Sequence, residues 1–440
     1  MDRTDKSGRR GLCPGAGLVA LCLLVACSGG SDTGVNKQGF SPAESPGGAL
    51  GPQSDVASPM IADLMARRSV LPAGGPFELV ADAVVEAGTG AAAADLRVAR
   101  LKAQARSRNW LPQVGPAVNL TALGGLAAGL LFDQALLDNG RRKAERDFAA
   151  ADVEIAAVTL SSDANQRVFE GLTHYIRAEQ ARAQSAISER ATVRLADFED
   201  IMAQRVEGGV SDGSELRVLQ QSVAEMRATH AADQQAALTA IAELQAMTAL
   251  PLEGLQGIDA LSPAPQGPEP LTVLRARGEG AQAIASAEVS RAEMRPGLRA
   301  TANVGITGLN PGVGVSGGGM LQPGSRATIE ALEATPDLVD RRIAEAAEDA
   351  QRRIVTLERQ VASLQSRQTQ GAEVLRQTAG NLELFTEQYT VGRRSLIDLV
   401  SQYDAYARLE RDQAVLPFEI ALMQLEIARN RGQLVDGQRL

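Results

Sequence analysis

The feature that most constrains this chain is a repeat. One offset of 184 residues separates Pro112 from Pro296, Gly140 from Gly324, Arg142 from Arg326 and Gly208 from Gly392. Each pair falls where one residue pattern gives way to another, so the coincidence of common residue types does not account for all four. Whatever fold forms must be built twice.

Each copy reads the same way. A helical pattern comes first, about 91–109 in copy one and about 271–294 in copy two. Pro112 and Pro296 end these helices, because proline cannot continue the ladder. Two glycine-rich, partly alternating segments follow and predict a strand pair. They span about 113–122 and 126–136 in copy one, and about 298–307 and 313–321 in copy two. A very long helix comes next. From Arg141 to Glu207 there is no proline and one glycine, Gly171; at ~1.5 Å per residue this run extends about 100 Å. In copy two, Leu357, Val361, Leu364, Gln368, Gly371, Leu375, Thr378, Leu382, Phe385 and Tyr389 alternate spacings of four and three, a coiled-coil seam. Pro336 predicts a break at the start of that helix. Glycine turns at Gly208-Gly209 and Gly392 reverse the chain, and a second helix returns in each copy. Pro417 predicts a bend in the last one.

Composition agrees with long helices. Aromatic residues are 3% of the chain, too few for a large enzyme core. The helix formers Ala, Leu, Gln, Glu and Arg dominate from about Ala91 onward. Net charge is −9, with no basic stripe, which argues against nucleic acid as a partner.

The N-terminus reads as an address. Arg9 and Arg10 precede an apolar run, Gly11 to Ala26, that is short for a membrane span. It ends Leu24-Val25-Ala26-Cys27, which resembles the lipobox of bacterial lipoproteins. That resemblance implies a lipidated Cys27, with Ser28 favouring the outer membrane; an ordinary cleaved signal or a short anchor is the other reading. Cys13 and Cys22 lie inside the leader, so Cys27 alone would remain and no internal disulfide could form. The expected organisation is a signal peptide over 1–26, a flexible tether over 27–76 with one short helical turn near Met60–Arg67, a first repeat over 77–255, a proline-rich linker over 256–270, a second repeat over 271–435 and a tail over 436–440.

Two strand pairs in one chain leave open sheet edges, which a membrane does not tolerate. Sharing strands between subunits would close the sheet, and the helical hairpins would project from it as a tube. Here the chain resembles the TolC-like outer membrane efflux family. The resemblance rests on Leu111-Pro112-Gln113, on Gly140-Arg141-Arg142, and most specifically on the run from Tyr389 to Leu399, and it extends from Phe77 to about Val435. It implies a mainly α fold with a small β part: two long helical hairpins forming an α-barrel tunnel, with four strands per chain completing a twelve-stranded barrel in a homotrimer. It also implies a passive exit duct for efflux or type I secretion, working with a periplasmic adaptor and an inner-membrane pump of RND or ABC type.

By the same resemblance Tyr389, Arg394 and Asp398 form the periplasmic gate. Threefold symmetry would gather the Asp398 carboxylates into a ring. Ser401 stands where the family often has a second aspartate, and Asp404 lies nearby. The alternative reading makes Tyr389 a seam residue and Arg394 with Asp398 a solvated pair. Arg205, Gly208, Gly209, Gly392 and Arg393 are the expected adaptor-docking tips. No enzyme, cofactor or metal site is expected: His174 and His230 lack ligand-spaced partners, and no nucleophile motif or phosphate loop is present. A helical-hairpin adaptor lipoprotein is the competing structural reading, disfavoured by two full hairpins with strand pairs between them.

Overall fold

The computed structural model describes residues 58–88, 90–120, 126–248, 254–261, 267–305, 308–317 and 324–439. Cys27 and the leader lie outside them. The first copy contributes helix α3 (Ala91–Ser107), strands β1 (Gln113–Leu120) and β2 (Leu126–Leu137), the 67-residue helix α4 (Arg141–Glu207) and its return, α5 (Gly213–Met247). The second contributes α6 (Leu271–Glu293), β3 (Pro296–Gly305), β4 (Gly308–Gly317), α7 (Ser325–Glu333), α8 (Thr335–Thr390) and α9 (Leu396–Asn430). Two shorter helices, α1 (Pro59–Ala66) and α2 (Pro76–Glu86), precede both.

The strands form one antiparallel sheet in the order β1-β2-β3-β4. The central pairing, β2 with β3, joins the two copies, with Phe132 opposite Ala302 and Leu130 opposite Val304. A register shift between Ala135 and Leu137 marks a bulge near the helical end of the sheet. β4 begins at Gly308, five residues before the expected Val313, and takes in Asn310-Pro311-Gly312. Those three residues read as a turn by type. They serve as strand because β4 is an edge in the chain, where proline's missing N–H is tolerated.

The expected tether is folded over part of its length. Ser58 caps α1 by accepting from the Met60 N–H, and Leu64 and Leu71 are buried. Buried Arg67 donates to the carbonyls of Arg431 (2.7 Å) and Glu269 (2.8 Å) and pairs with Asp63. Residues 58–76 are therefore a girdle docked on the repeats, not a free linker. The expected C-terminal tail is docked as well. Gly437–Arg439 form a 3-10 turn against α1, and the Gly437 N–H donates to the Arg67 carbonyl at 3.1 Å. Proline and glycine content suggested a linker; the apolar anchors Leu64, Leu71 and Phe77 override it by burial.

The core divides in two. A girdle core gathers Leu64, Phe77, Val84, Leu172, Tyr175, Leu244 and Leu425 around the middle of α4. Phe77 meets Tyr175 edge to face at 6.2 Å, and the Tyr175 hydroxyl donates to the Gly257 carbonyl. A second core, described below, lies at the hairpin ends. Between α7 and α8 the helix breaks at Ala334, with Pro336 in the first turn of α8, where its missing N–H costs nothing. Pro417 sits inside α9, which runs unbroken past it.

Candidate functional site

The two hairpin tips share one construction. In tip one the Val210 N–H donates to the Arg205 carbonyl (2.8 Å) and the Gly209 N–H to the Val206 carbonyl (3.0 Å). In tip two the Arg393 N–H donates to the Gln388 carbonyl (2.8 Å) and the Gly392 N–H to the Tyr389 carbonyl (3.0 Å). These are Schellman closures, and each needs a left-handed residue just past the helix. Gly209 (φ 69°) and Gly392 (φ 70°) supply it. Gly208 has φ −76° and matches Val391 instead, so the equivalent glycines are one residue out of step with the 184-residue offset. Each return helix is then capped. Asp212 accepts from the Ser214 N–H (3.2 Å), a bond that holds its carboxyl below the usual range, and Ser395 accepts from the Asp398 N–H (3.2 Å).

The tips lie against each other. Arg205 on α4 stacks its guanidinium over the Tyr389 ring of α8, 5.0 Å from the centroid. Arg394 covers Phe385 at 4.3 Å, and its Nε donates to Gln388 Oε1 at 3.0 Å. Beneath them Leu195, Phe198, Met202, Leu219, Leu396, Leu399 and Val400 form one buried cluster drawn from both hairpins. Phe198 meets Tyr403 edge to face at 5.9 Å, and burial pushes the Tyr403 phenol upward.

Tyr389, Arg394 and Asp398 occupy one tip, yet they do not bond to each other within the chain. The exposed Asp398 carboxylate has no ion-pair partner among the described residues, so the solvated pair with Arg394 does not form. Asp404 is paired with Arg408 at 2.7 Å, and the Ser401 hydroxyl donates to the Ile397 carbonyl. Arg393 is exposed beside Gly392.

Sequence reading missed one polar cluster above the tips. Asp233 on α5 is 6% exposed; it accepts from the Ser188 hydroxyl of α4 (2.8 Å) and pairs with Arg411 of α9. Three helices thus meet at one buried carboxylate. These residues stand far apart in the chain and no periodic signal links them. His174 Nδ1 lies 2.7 Å from a Glu243 carboxylate oxygen, and His230 bonds Ser185. Among the described residues no group of three or more metal-ligating side chains is found.

At the other end of α4 lies the sheet, and its two faces differ. Val114, Leu130, Phe132, Leu298, Ala302, Val304, Leu309, Val313 and Val315 share one face through the strand register. Val313 is 74% exposed and Leu309 63%. The opposite face carries Gln113, Asp133, Arg299, Thr301, Asn303 and Asn310, with Leu131 the large apolar exception. Arg299 pairs with Asp133 there at 2.9 Å. No helix among the described residues is long and apolar enough to cross a membrane.

Long helical hairpins in two copies, carried by a four-stranded sheet with one apolar face, form an arrangement shared with solved outer-membrane channels. The particular likenesses are to solved structures. A membrane protein from Pseudomonas aeruginosa superimposes with a TM-score of 0.73 at 14% identity, over 84% of this chain and 92% of that one. The outer-membrane channel OprN gives 0.72 at 16% identity, over 84% and 93%. The CmeC outer membrane channel of Campylobacter jejuni gives 0.68 at 12% identity, over 82% and 86%. No family model matches the chain and no curated protein matches its sequence. The chain has the fold of these channels, as the resemblance implied.

Proposed function

We propose that the chain is the outer-membrane exit duct of a tripartite export system, a passive conduit driven by an inner-membrane pump through a periplasmic adaptor. The sheet carries the reading. Its strands of 8 to 12 residues are about 27–40 Å long at ~3.4 Å per residue. Tilted by ~40°, they match an apolar band of about 25 Å. One face is apolar and the other polar, as a barrel wall between lipid and water requires. β1 and β4 are open edges in the chain, and β1 of one copy against β4 of the next closes three copies into a twelve-stranded barrel. Lipid on Cys27 anchors the same assembly.

The tips supply the gate and the docking face. Arg205 over Tyr389 and Arg394 over Phe385 fix the tips, which leaves the Asp398 carboxylates free to face the threefold axis. Gathered there, they repel one another and attract cations. Arg205, Gly208, Gly209, Gly392 and Arg393 lie at the turns that meet the adaptor. The adaptor-like reading leaves the exposed apolar sheet face without a role.

Planar-bilayer recording tests the gate. Asp398→Ala should relieve block of the channel by divalent cations and raise open probability. A protein that makes no pore and runs as a monomer on unheated gels defeats the duct reading itself. Crosslinking from Arg205 and Arg393 should capture an adaptor in cells.

A further inference from the structure

We propose that the junction between helices and sheet binds anionic phospholipid in the membrane leaflet it enters; this rests on the sheet being the membrane-spanning part. By register, β1 and β3 begin, and β2 and β4 end, at the same edge of the sheet. Three helix ends that meet there, those of α3, α4 and α6, are stitched together. Asn109 donates to the Arg142 carbonyl (3.1 Å), Asn139 donates to the Pro296 carbonyl (3.0 Å), and Arg141 faces Glu293 at 3.8 Å.

That edge is basic although the chain is acidic. Arg106, Arg141 and Arg142 are spent on Glu145, Glu293 and Asp138. Arg108 at the end of α3, Lys143 in the first turn of α4 and Arg295 just before β3 are exposed, and none has an acidic partner among the described residues. Each of three successive junctions therefore presents one uncompensated cation. Bordering them on the sheet side are Trp110, 60% exposed, with Leu111, Leu136 and Leu137, all exposed. Gln134, on the apolar face, donates to the Trp110 carbonyl at 3.0 Å, which ties residue 110 to the face that meets lipid.

An indole at the rim of an apolar band sits at headgroup depth. Cations one step beyond it meet the phosphates, where a surface Lys or Arg adds attraction only if the lipid bears net charge. A zwitterionic headgroup offers no such gain. The arrangement therefore selects a phosphatidylglycerol-like lipid over phosphatidylcholine.

Trp110 is the chain's one tryptophan, so fluorescence from the full-length protein reports on this edge alone. The test reconstitutes it in phosphatidylcholine vesicles containing an equal mole fraction of either brominated phosphatidylglycerol or brominated phosphatidylcholine. Bromines near the headgroup should quench Trp110. The phosphatidylglycerol quencher should act as if enriched about fivefold, and Arg108→Gln/Lys143→Gln/Arg295→Gln should abolish that preference while quenching by phosphatidylcholine persists. High salt on the unaltered protein should abolish it too, which covers a variant that fails to insert. Equal quenching by the two lipids, or no quenching in protein that has inserted, overturns the proposal and leaves the duct reading standing. Protein that never enters the vesicles overturns the duct reading as well.

Discussion

Gly171 is the one glycine in the 67 residues of α4, and the structure gives it a purpose that a double substitution can measure. A Cβ at this position would stand 2.6 Å from Val84 Cγ2 and 3.7 Å from Leu244 Cδ1. Val84 on α2 is completely buried, so its methyl has nowhere to go. Gly171→Ala gains about 1 kcal/mol of helix propensity. Against that, forcing a methyl inside the ~3.5–4.0 Å contact distance costs up to about 3 kcal/mol. The net is a loss of about 2 kcal/mol. Val84→Ala alone removes two methyls at ~0.8 kcal/mol each plus a small cavity, about 2 kcal/mol. In the pair the overlap vanishes and the helix gain remains, so the double variant should lose only about 1 kcal/mol, with a coupling near 3 kcal/mol. Denaturant midpoints followed by far-UV circular dichroism in detergent, with unchanged slopes, give all four corners. Losses that simply add to within ~0.5 kcal/mol would refute the claim that α2 seats its valine against this glycine.

Other outcomes follow from the same packing. Arg411→Met leaves the Asp233 carboxylate buried with only Ser188, and should destabilise by about 3 kcal/mol, whereas Asp233→Leu/Arg411→Met should recover most of it; a double variant no better than the single would show that packing, not charge, holds that junction. Gly209→Ala and Gly392→Ala each force a side chain into left-handed backbone and should cost about 1 kcal/mol at the tip, whereas Gly208→Ala should be close to neutral, measured by the same unfolding. Burial pushes the Tyr175 and Tyr403 phenols upward. A folded pKa above the unfolded one means this stability is complete below the free phenol's pKa and is lost as alkaline pH rises through the folded value; Tyr403→Phe should remove a late step from the ultraviolet titration, and loss of a step in the ordinary phenol range instead would show that Tyr403 is solvated.

Local pattern was enough to place the long elements. Helices α3, α4 and α6 lie within two residues of where proline, glycine and apolar spacing put them. Along α8 the seam also holds: Leu357 is buried, and Val361 through Tyr389 at the seam positions are half-buried while most of their neighbours are exposed. At the seam's Gly371 the Gln413 amide of α9 lies against the glycine, which places α9 along the seam. Pattern failed where type and place conflict. Asn310-Pro311-Gly312 looked like a turn and is an edge strand. Residues 58–76 looked like a tether and are held by Leu64, Arg67 and Leu71.

What the sequence determined by itself is the doubled plan: two strand pairs, two long hairpins, and the residues that break and reverse them. Each is a consequence of backbone chemistry within a few residues, so one chain's order of letters suffices. What only the tertiary structure decided is which distant groups meet. The stacking of Arg205 on Tyr389, the burial of Asp233 between Ser188 and Arg411, and the true pairing of Gly209 with Gly392 depend on how two helical hairpins lie side by side. The repeat proposed Gly208 and Gly392 as equivalents; the hydrogen bonds at the tips moved the match by one residue, because a Schellman closure needs its left-handed residue after the cap.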